Sequence, residues 1–247
     1  MTVPTRRATV LMAVCAAVAL GIGVLLRPAP TALPRTGTGD AALAALGREV
    51  VGPVAAARAP LDAPPGTYSN MGFAVLGSAL AAAVDRPSAQ LITERVLTPL
   101  GMSGAAVVTT PDALGPRDLT GETTGGRRAD PWAGEGIAPA GSVRADIADT
   151  SRLARALLVG DAPGIDALRP RADLGAPDRI GWAWLSRPDP VTGRAVVWHN
   201  GGTGGFTSFL GVDREAGVAV VVLSALGAPD DTTTAGFELL RRMGGAR

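Results

Sequence analysis

Two short segments of the 247-residue chain carry side chains suited to moving protons and holding a carbonyl group. Pro64-Pro65-Gly66-Thr67-Tyr68-Ser69-Asn70 sets a phenol, a hydroxyl and a carboxamide on consecutive residues where a helix opens. Trp198-His199-Asn200-Gly201-Gly202-Thr203-Gly204-Gly205-Phe206 joins two strands and holds the single histidine beside a glycine-rich run. A phenol ionises at about pH 10 and needs a cationic neighbour before it can relay protons at neutral pH. An imidazole can donate a proton or bear charge near neutrality. Taken singly, each residue also has a plainer role. Ser69 or Asn70 would cap the helix, the glycines would form a loose turn, and His199 would pack or sit at the surface. The glycine run lacks the helix that follows a phosphate-cradling loop, which speaks against a nucleotide site.

Composition narrows the chemistry further. The chain contains no lysine, so all 23 basic residues are arginines. The one cysteine, Cys15, lies in an apolar leader, which leaves the remainder without a disulfide, a thiolate nucleophile or a cysteine metal site. With a single histidine as well, no metal site and no cofactor are expected. Beyond the first 32 residues, 20 arginines face 22 acids, a balance of −2 that gives no footprint for nucleic acid.

The elements that must position these groups can be read from period and punctuation. Residues 8–26 run without a charge between Arg7 and Arg27 and lead into Pro28-Ala29-Pro30. Residues 1–32 are therefore expected to form an apolar leader helix, either a signal peptide or a retained membrane anchor with Arg6 and Arg7 inside. The rest is then exported, secreted or periplasmic, or membrane-anchored facing outside. Residues 33–63 read as a linker and a short helix over Ala41–Val51 capped by Asp40, and residues 64–247 as the folded domain.

Within that domain a helix after Asn70 aligns Phe73, Leu76, Leu80 and Val84, and a second follows Ser88 and ends near Leu100-Gly101. Gly104 to Pro139 reads as an irregular excursion. A helix through Ala154 and Leu157 stops at Gly160. Strand-like periodicity then covers Ile180–Ser186, Ala195–His199, Phe206–Val212 and Val218–Ser224, with Asp213–Gly217 as a hairpin loop and a closing helix capped within Thr232–Thr234. The fold class is α+β, with a closing three-stranded antiparallel meander flanked by helices.

Taken together, in this order and spacing, the two segments resemble the penicillin-recognising serine hydrolases: class C β-lactamases, D-alanyl-D-alanine carboxypeptidases and related esterases. Met71-Gly72-Phe73-Ala74-Val75-Leu76-Gly77, Leu97-Thr98-Pro99-Leu100-Gly101-Met102, Pro139-Ala140-Gly141-Ser142 and the stretch from Phe206 to Ser224 agree, so the resemblance covers about Pro64 to Leu226. It implies an incomplete β-lactamase/transpeptidase-like fold and, as ligand, a β-lactam or a peptidoglycan stem. It also implies Tyr68 as the proton relay and His199 at the place where many members carry the lysine of Lys-Thr-Gly. Asn70 would hold the substrate's amide carbonyl, with Gly201, Gly202 and Thr203 completing the binding edge. The Gly202 N–H would be one half of an oxyanion hole.

The departures from that pattern carry as much information. The family's nucleophile is the serine of a Ser-x-x-Lys box, whose lysine amine takes the hydroxyl proton. No lysine is present, no serine here has an arginine three residues later, and a guanidinium stays protonated in any case. In relatives the box lies roughly eighty to ninety residues before the tyrosine, whereas 67 residues precede Tyr68, about 32 of them leader. Thr67 also runs directly into Tyr68, where relatives usually have a few more residues. The expectation is an impaired hydrolase, with two alternatives: a non-catalytic envelope binding module, or an esterase using Ser69 with His199. Loss of the N-terminal strands should also leave Val218–Leu223 with an open apolar edge.

Overall fold

The computed structural model describes residues 9–11, 66, 68–227 and 231–245. The expected linker and the helix over 41–51 lie outside the described residues. Of the leader, Thr9–Leu11 is described, and it forms a strand (β1) rather than part of a helix. β1 pairs antiparallel with Val143–Asp146 (β4). Among the described residues no helix is long and apolar enough to cross a membrane.

Chain order and spatial order coincide in the main sheet. Ala172–Gly175 (β5), Asp178–Ile180 (β6), Leu185–Pro188 (β7), Ala195–Gly202 (β8), Thr207–Asp213 (β9) and Val218–Ser224 (β10) form a six-stranded antiparallel meander. It is twice as wide as the three-stranded meander expected from the sequence. The single strand expected over Ile180–Ser186 is in fact two, because Gly181 to Ala183 break it. Gly181 lies so close to the Ala167 carbonyl that a Cβ there would be 2.3 Å from the oxygen, and Ala183 has φ 67°. The hairpin between β9 and β10 falls at the expected Asp213–Gly217, with Gly217 at φ 70°.

Strand alternation gives the sheet two apolar faces, each covered by a helix. Leu210 and Val212 of β9 face Leu153 and Leu157 of Ile147–Val159 (α4), together with Trp184. Val196 and Trp198 of β8, Phe209 of β9 and Val220 of β10 face Leu240 of Asp231–Met243 (α5). The α4 helix starts where the Asp146 carboxylate accepts the Asp149 N–H at 2.9 Å, and it stops at Gly160, φ 90°. Arg214 of the β9–β10 hairpin donates through Nε to the Leu157 carbonyl at 3.0 Å, tying the helix end to the sheet.

Beside this layered core, Asn70–Val84 (α1) crosses Ala138–Gly141 (α3), where Gly77 abuts the Pro139 ring. Ser88–Ile92 (α2) runs on through a wider turn over Thr93–Leu97 to the expected stop at Leu100-Gly101. The excursion between residues 104 and 139 contains two short strands, Ala106–Val107 (β2) on β4 and Glu122–Thr123 (β3) on Leu226–Gly227 (β11).

The α5 helix approaches β9 closely because Gly211 and Gly236 leave room for the Phe209 ring there. A Cβ on Gly236 would lie 2.0 Å from Cδ1 of the fully buried Phe209, and one on Gly211 would lie 2.6 Å from Cζ of the same ring. Gly236→Ala gains about 1 kcal/mol of helix propensity, but overpacking against a ring with nowhere to move costs about 1–3 kcal/mol. The net expectation is destabilisation, read as a lower urea midpoint with an unchanged m-value.

Candidate functional site

Tyr68 stands just before α1, and its ring centroid lies 5.4 Å from that of His199 on β8, at an interplanar angle of 51°. The two segments singled out in the sequence therefore meet. Ser69 fixes the helix start by accepting the Gly72 N–H on its Oγ at 3.0 Å, so its hydroxyl is engaged as the helix cap. That cap sets Asn70 as the first helical residue, and the Tyr68 hydroxyl donates to Asn70 Oδ1 at 2.7 Å. Phe73, one turn further on, holds the other side of the tyrosine ring at 6.2 Å.

His199 sits opposite Leu210 in the β8–β9 ladder, which turns its ring toward the α4 face of the sheet. Trp184 meets that ring edge-on at 6.3 Å, and 8% of the histidine is exposed. The Asn200 carbonyl can only accept, so His199 Nδ1–H donates to it, which fixes the tautomer. Nε2 is buried and has no hydrogen-bond partner among the described residues. Burial in this dry setting lowers the histidine pKa from 6.5 to about 4, against a smaller upward pull from the bond to Asn200. At that pKa the imidazole is neutral at pH 7 and acts as a donor through Nδ1. The cause is burial, with Tyr68 and Trp184 as its ring neighbours, and no local motif signalled the packing of Trp184.

The glycine-rich segment divides into parts with different duties. Asn200, Gly201 and Gly202 are not a loose turn; they extend β8 and pair with Phe209, Ser208 and Thr207. Asn200 points to the far face, where its Nδ2 donates to Thr233 Oγ1 of α5 at 3.1 Å. Gly202 is exposed, and among the described residues a Cβ there would meet nothing within 4 Å. The Thr203 N–H donates to the Phe206 carbonyl at 2.9 Å and closes the turn, so that amide serves the fold rather than a ligand.

Gly204 and Gly205 form a backbone seam. A Cβ on Gly205 would lie 2.8 Å from the Gly121 carbonyl carbon, one on Gly121 would be 2.1 Å from the Gly205 oxygen, and one on Gly227 would be 2.1 Å from the Gly204 oxygen. Sequence reasoning missed Gly121 and Gly227, which lie far along the chain from the motif they support. No group of metal-ligating side chains is found among the described residues.

A buried neutral histidine makes stability depend on pH. Its folded pKa lies below the unfolded value, so the unfolded chain binds the proton that the native state refuses. The contribution is complete above pH 6.5 and is lost as pH falls toward about 4, by up to about 3 kcal/mol. His199→Leu should flatten the pH dependence of the urea midpoint between pH 7 and pH 5 relative to the parent; an unchanged slope would refute the dry, neutral imidazole.

Comparison with known proteins places this geometry. Residues 35–242 match the family model for Beta-lactamase, a span that begins upstream of Pro64 and reaches into α5. No curated protein sequence matches the chain. Among solved structures, a class C beta-lactamase superposes with TM-score 0.73 at 14% identity, covering 96% of this chain and 82% of its own. D-alanine carboxypeptidase AmpC from Burkholderia cenocepacia gives TM-score 0.75 at 18% identity, covering 98% of this chain and 85% of its own. An octameric penicillin-binding protein homologue from Pyrococcus abyssi gives TM-score 0.70 at 17% identity, covering 98% and 67%. At these identities the superpositions establish the shared fold, and the family match covers most of the sequence. The juxtaposed Tyr68 and His199 thus stand on the scaffold common to these enzymes, and the chain belongs to the β-lactamase family.

Proposed function

We propose that this chain is an exported member of the β-lactamase family that binds β-lactam or D-Ala-D-Ala-type ligands reversibly and does not turn them over. The observation that carries this reading is the absence of any lysine, and with it of a Ser-x-x-Lys box, from all 247 residues. Acyl transfer in this family resemblance needs a serine oxygen to attack and an amine to take its proton. Removing both members of such a pair costs about a millionfold in rate, leaving the weak help of binding and oxyanion donors.

The surviving groups are arranged for holding rather than reacting. A phenol relays protons well only when a nearby positive charge makes it acidic. His199, the side chain in van der Waals range that stands where relatives carry a cation, is neutral above about pH 4. The Tyr68 hydroxyl donates to Asn70 Oδ1, and the family resemblance gives the Asn70 carboxamide the ligand carbonyl to hold. It gives Gly202 the strand edge, where a Cβ would meet nothing within 4 Å among the described residues. The esterase alternative is weakened because Ser69 Oγ accepts the Gly72 N–H as the α1 cap and no hydrogen bond joins it to His199 among the described residues. Residues 1–32 would deliver the domain to the outside of the membrane, where both ligand classes are met.

Incubation of the full chain with a chromogenic cephalosporin should give no steady hydrolysis, and intact-mass spectra with a fluorescent penicillin should show no adduct. Reversible binding of the penicillin should weaken roughly tenfold in Asn70→Ala, the value of one good hydrogen bond. A covalent ester on any hydroxyl would overturn the reading.

A further inference from the structure

A cavity of about 180 Å³ lies between the β2–β4 ladder and the loop that ends at Asp118, and none of the residues of the Tyr68–His199 site lines it. Ala106 stands directly opposite Arg144 in the ladder, so the two side chains share a face. Asp146, two residues further along β4, returns to that face. Val108 adds a second apolar group, and the excursion contributes Ala113, Arg117 and Asp118. The charged part of the lining is thus two guanidinium groups and two carboxylates, which sum to zero.

Two of these four charges are short of partners. Arg144 is 3% exposed, yet its Nε has no hydrogen-bond partner, and the bonds from its Nη1 to Asp118 Oδ1 and to the Leu119 carbonyl are long, at 3.5 and 3.4 Å. Burial lowers its pKa, and Asp118 offsets only part of that cost. The Phe206 ring lies 5.4 Å from the guanidinium carbon. A planar fork of five donors is suited to take a carboxylate in its own plane. Asp146 accepts the Asp149 N–H on Oδ1 at 2.9 Å, and its Oδ2 accepts no bond among the described residues.

We propose that this cavity binds a small zwitterionic amino acid, with its carboxylate on the Arg144 guanidinium, its ammonium on Asp146 Oδ2 and its side chain against Ala106 and Val108. Charge selects this class. An anion alone would meet Asp118 and Asp146, a cation alone would meet Arg117 and Arg144, and an uncharged solute would leave the buried guanidinium uncompensated. A zwitterion serves both signs and carries no net charge into the cavity. Size selects the smallest members. At about 30 Å³ per water the space holds about six waters, which admits a solute of about six non-hydrogen atoms such as alanine. The inference does not rest on what binds at Tyr68 and His199.

Titration of the isotope-labelled full chain in detergent micelles with alanine should move the Arg144 and Asp118 amide resonances, with a dissociation constant of about a millimolar. Propionate, which lacks the ammonium, and ethylamine, which lacks the carboxylate, should each bind at least about tenfold more weakly. Asp146→Asn keeps the α4 cap, because Asn serves there as well as Asp. It should weaken alanine at least about tenfold without weakening propionate. Ala106→Leu, at an exposed position, should fill the space and weaken alanine to a similar degree with an unchanged circular dichroism spectrum. Propionate binding as tightly as alanine would make this an anion site and overturn the proposal. Alanine binding indifferent to both substitutions would place the ligand elsewhere in the molecule and overturn it too, as would resonances that stay still at about twentyfold higher concentration.

Discussion

The candidate site depends on the register in which β8 pairs with β9. With His199 opposite Leu210 and Trp198 opposite Gly211, the imidazole is delivered to the face that carries Tyr68 and Trp184, and the indole to the face that carries α5. A slip of one residue would exchange the two rings and empty the site, because side chains alternate between faces at every position. The register is held from both sides. Phe209 stacks on Trp198 at 6.1 Å on one face, while Leu210 and Val212 enter the α4 core on the other.

The same packing decides what the histidine can be. A strand residue facing a tryptophan edge and a tyrosine ring is shielded from water, and in that setting the charged form is the costly one. The position therefore gains tight aromatic contact and gives up the positive charge that proton relay through a phenol would use. Arginine at this place would keep its charge but not fit the enclosure; the buried Arg144, with Phe206 against its guanidinium at 5.4 Å and Asp118 alongside, shows how many partners such a burial demands.

Much of this was legible from the sequence because the signals were local. The Ser69 start of α1, the Gly160 stop of α4 and the Asp213–Gly217 hairpin follow from capping and turn chemistry within a few residues. The meeting of Tyr68 with His199 was legible through the resemblance, since no spacing rule joins residues so far apart. What escaped was non-local. The strands β5 and β6 are three or four residues long and half-exposed, too short for a period to register, and Gly181 is explained by the Ala167 carbonyl above it rather than by its neighbours. The burial of His199 likewise involves Trp184, fifteen positions earlier in the chain yet next to it across the β7–β8 pairing.

The glycine seam beneath the hairpin between β8 and β9 has a consequence for how this scaffold can change. Where Gly204 and Gly205 lie backbone to backbone against Gly121 and Gly227, the spacing between the hairpin and the β3–β11 ribbon is set by main-chain atoms, with Ala129 Cβ and the Phe206 ring packed beside them. No side chain can be inserted to lift or tilt that rim by degrees. Among the described residues Gly202 leaves room for a side chain, so variation in side-chain size falls on that flank while the seam keeps its spacing.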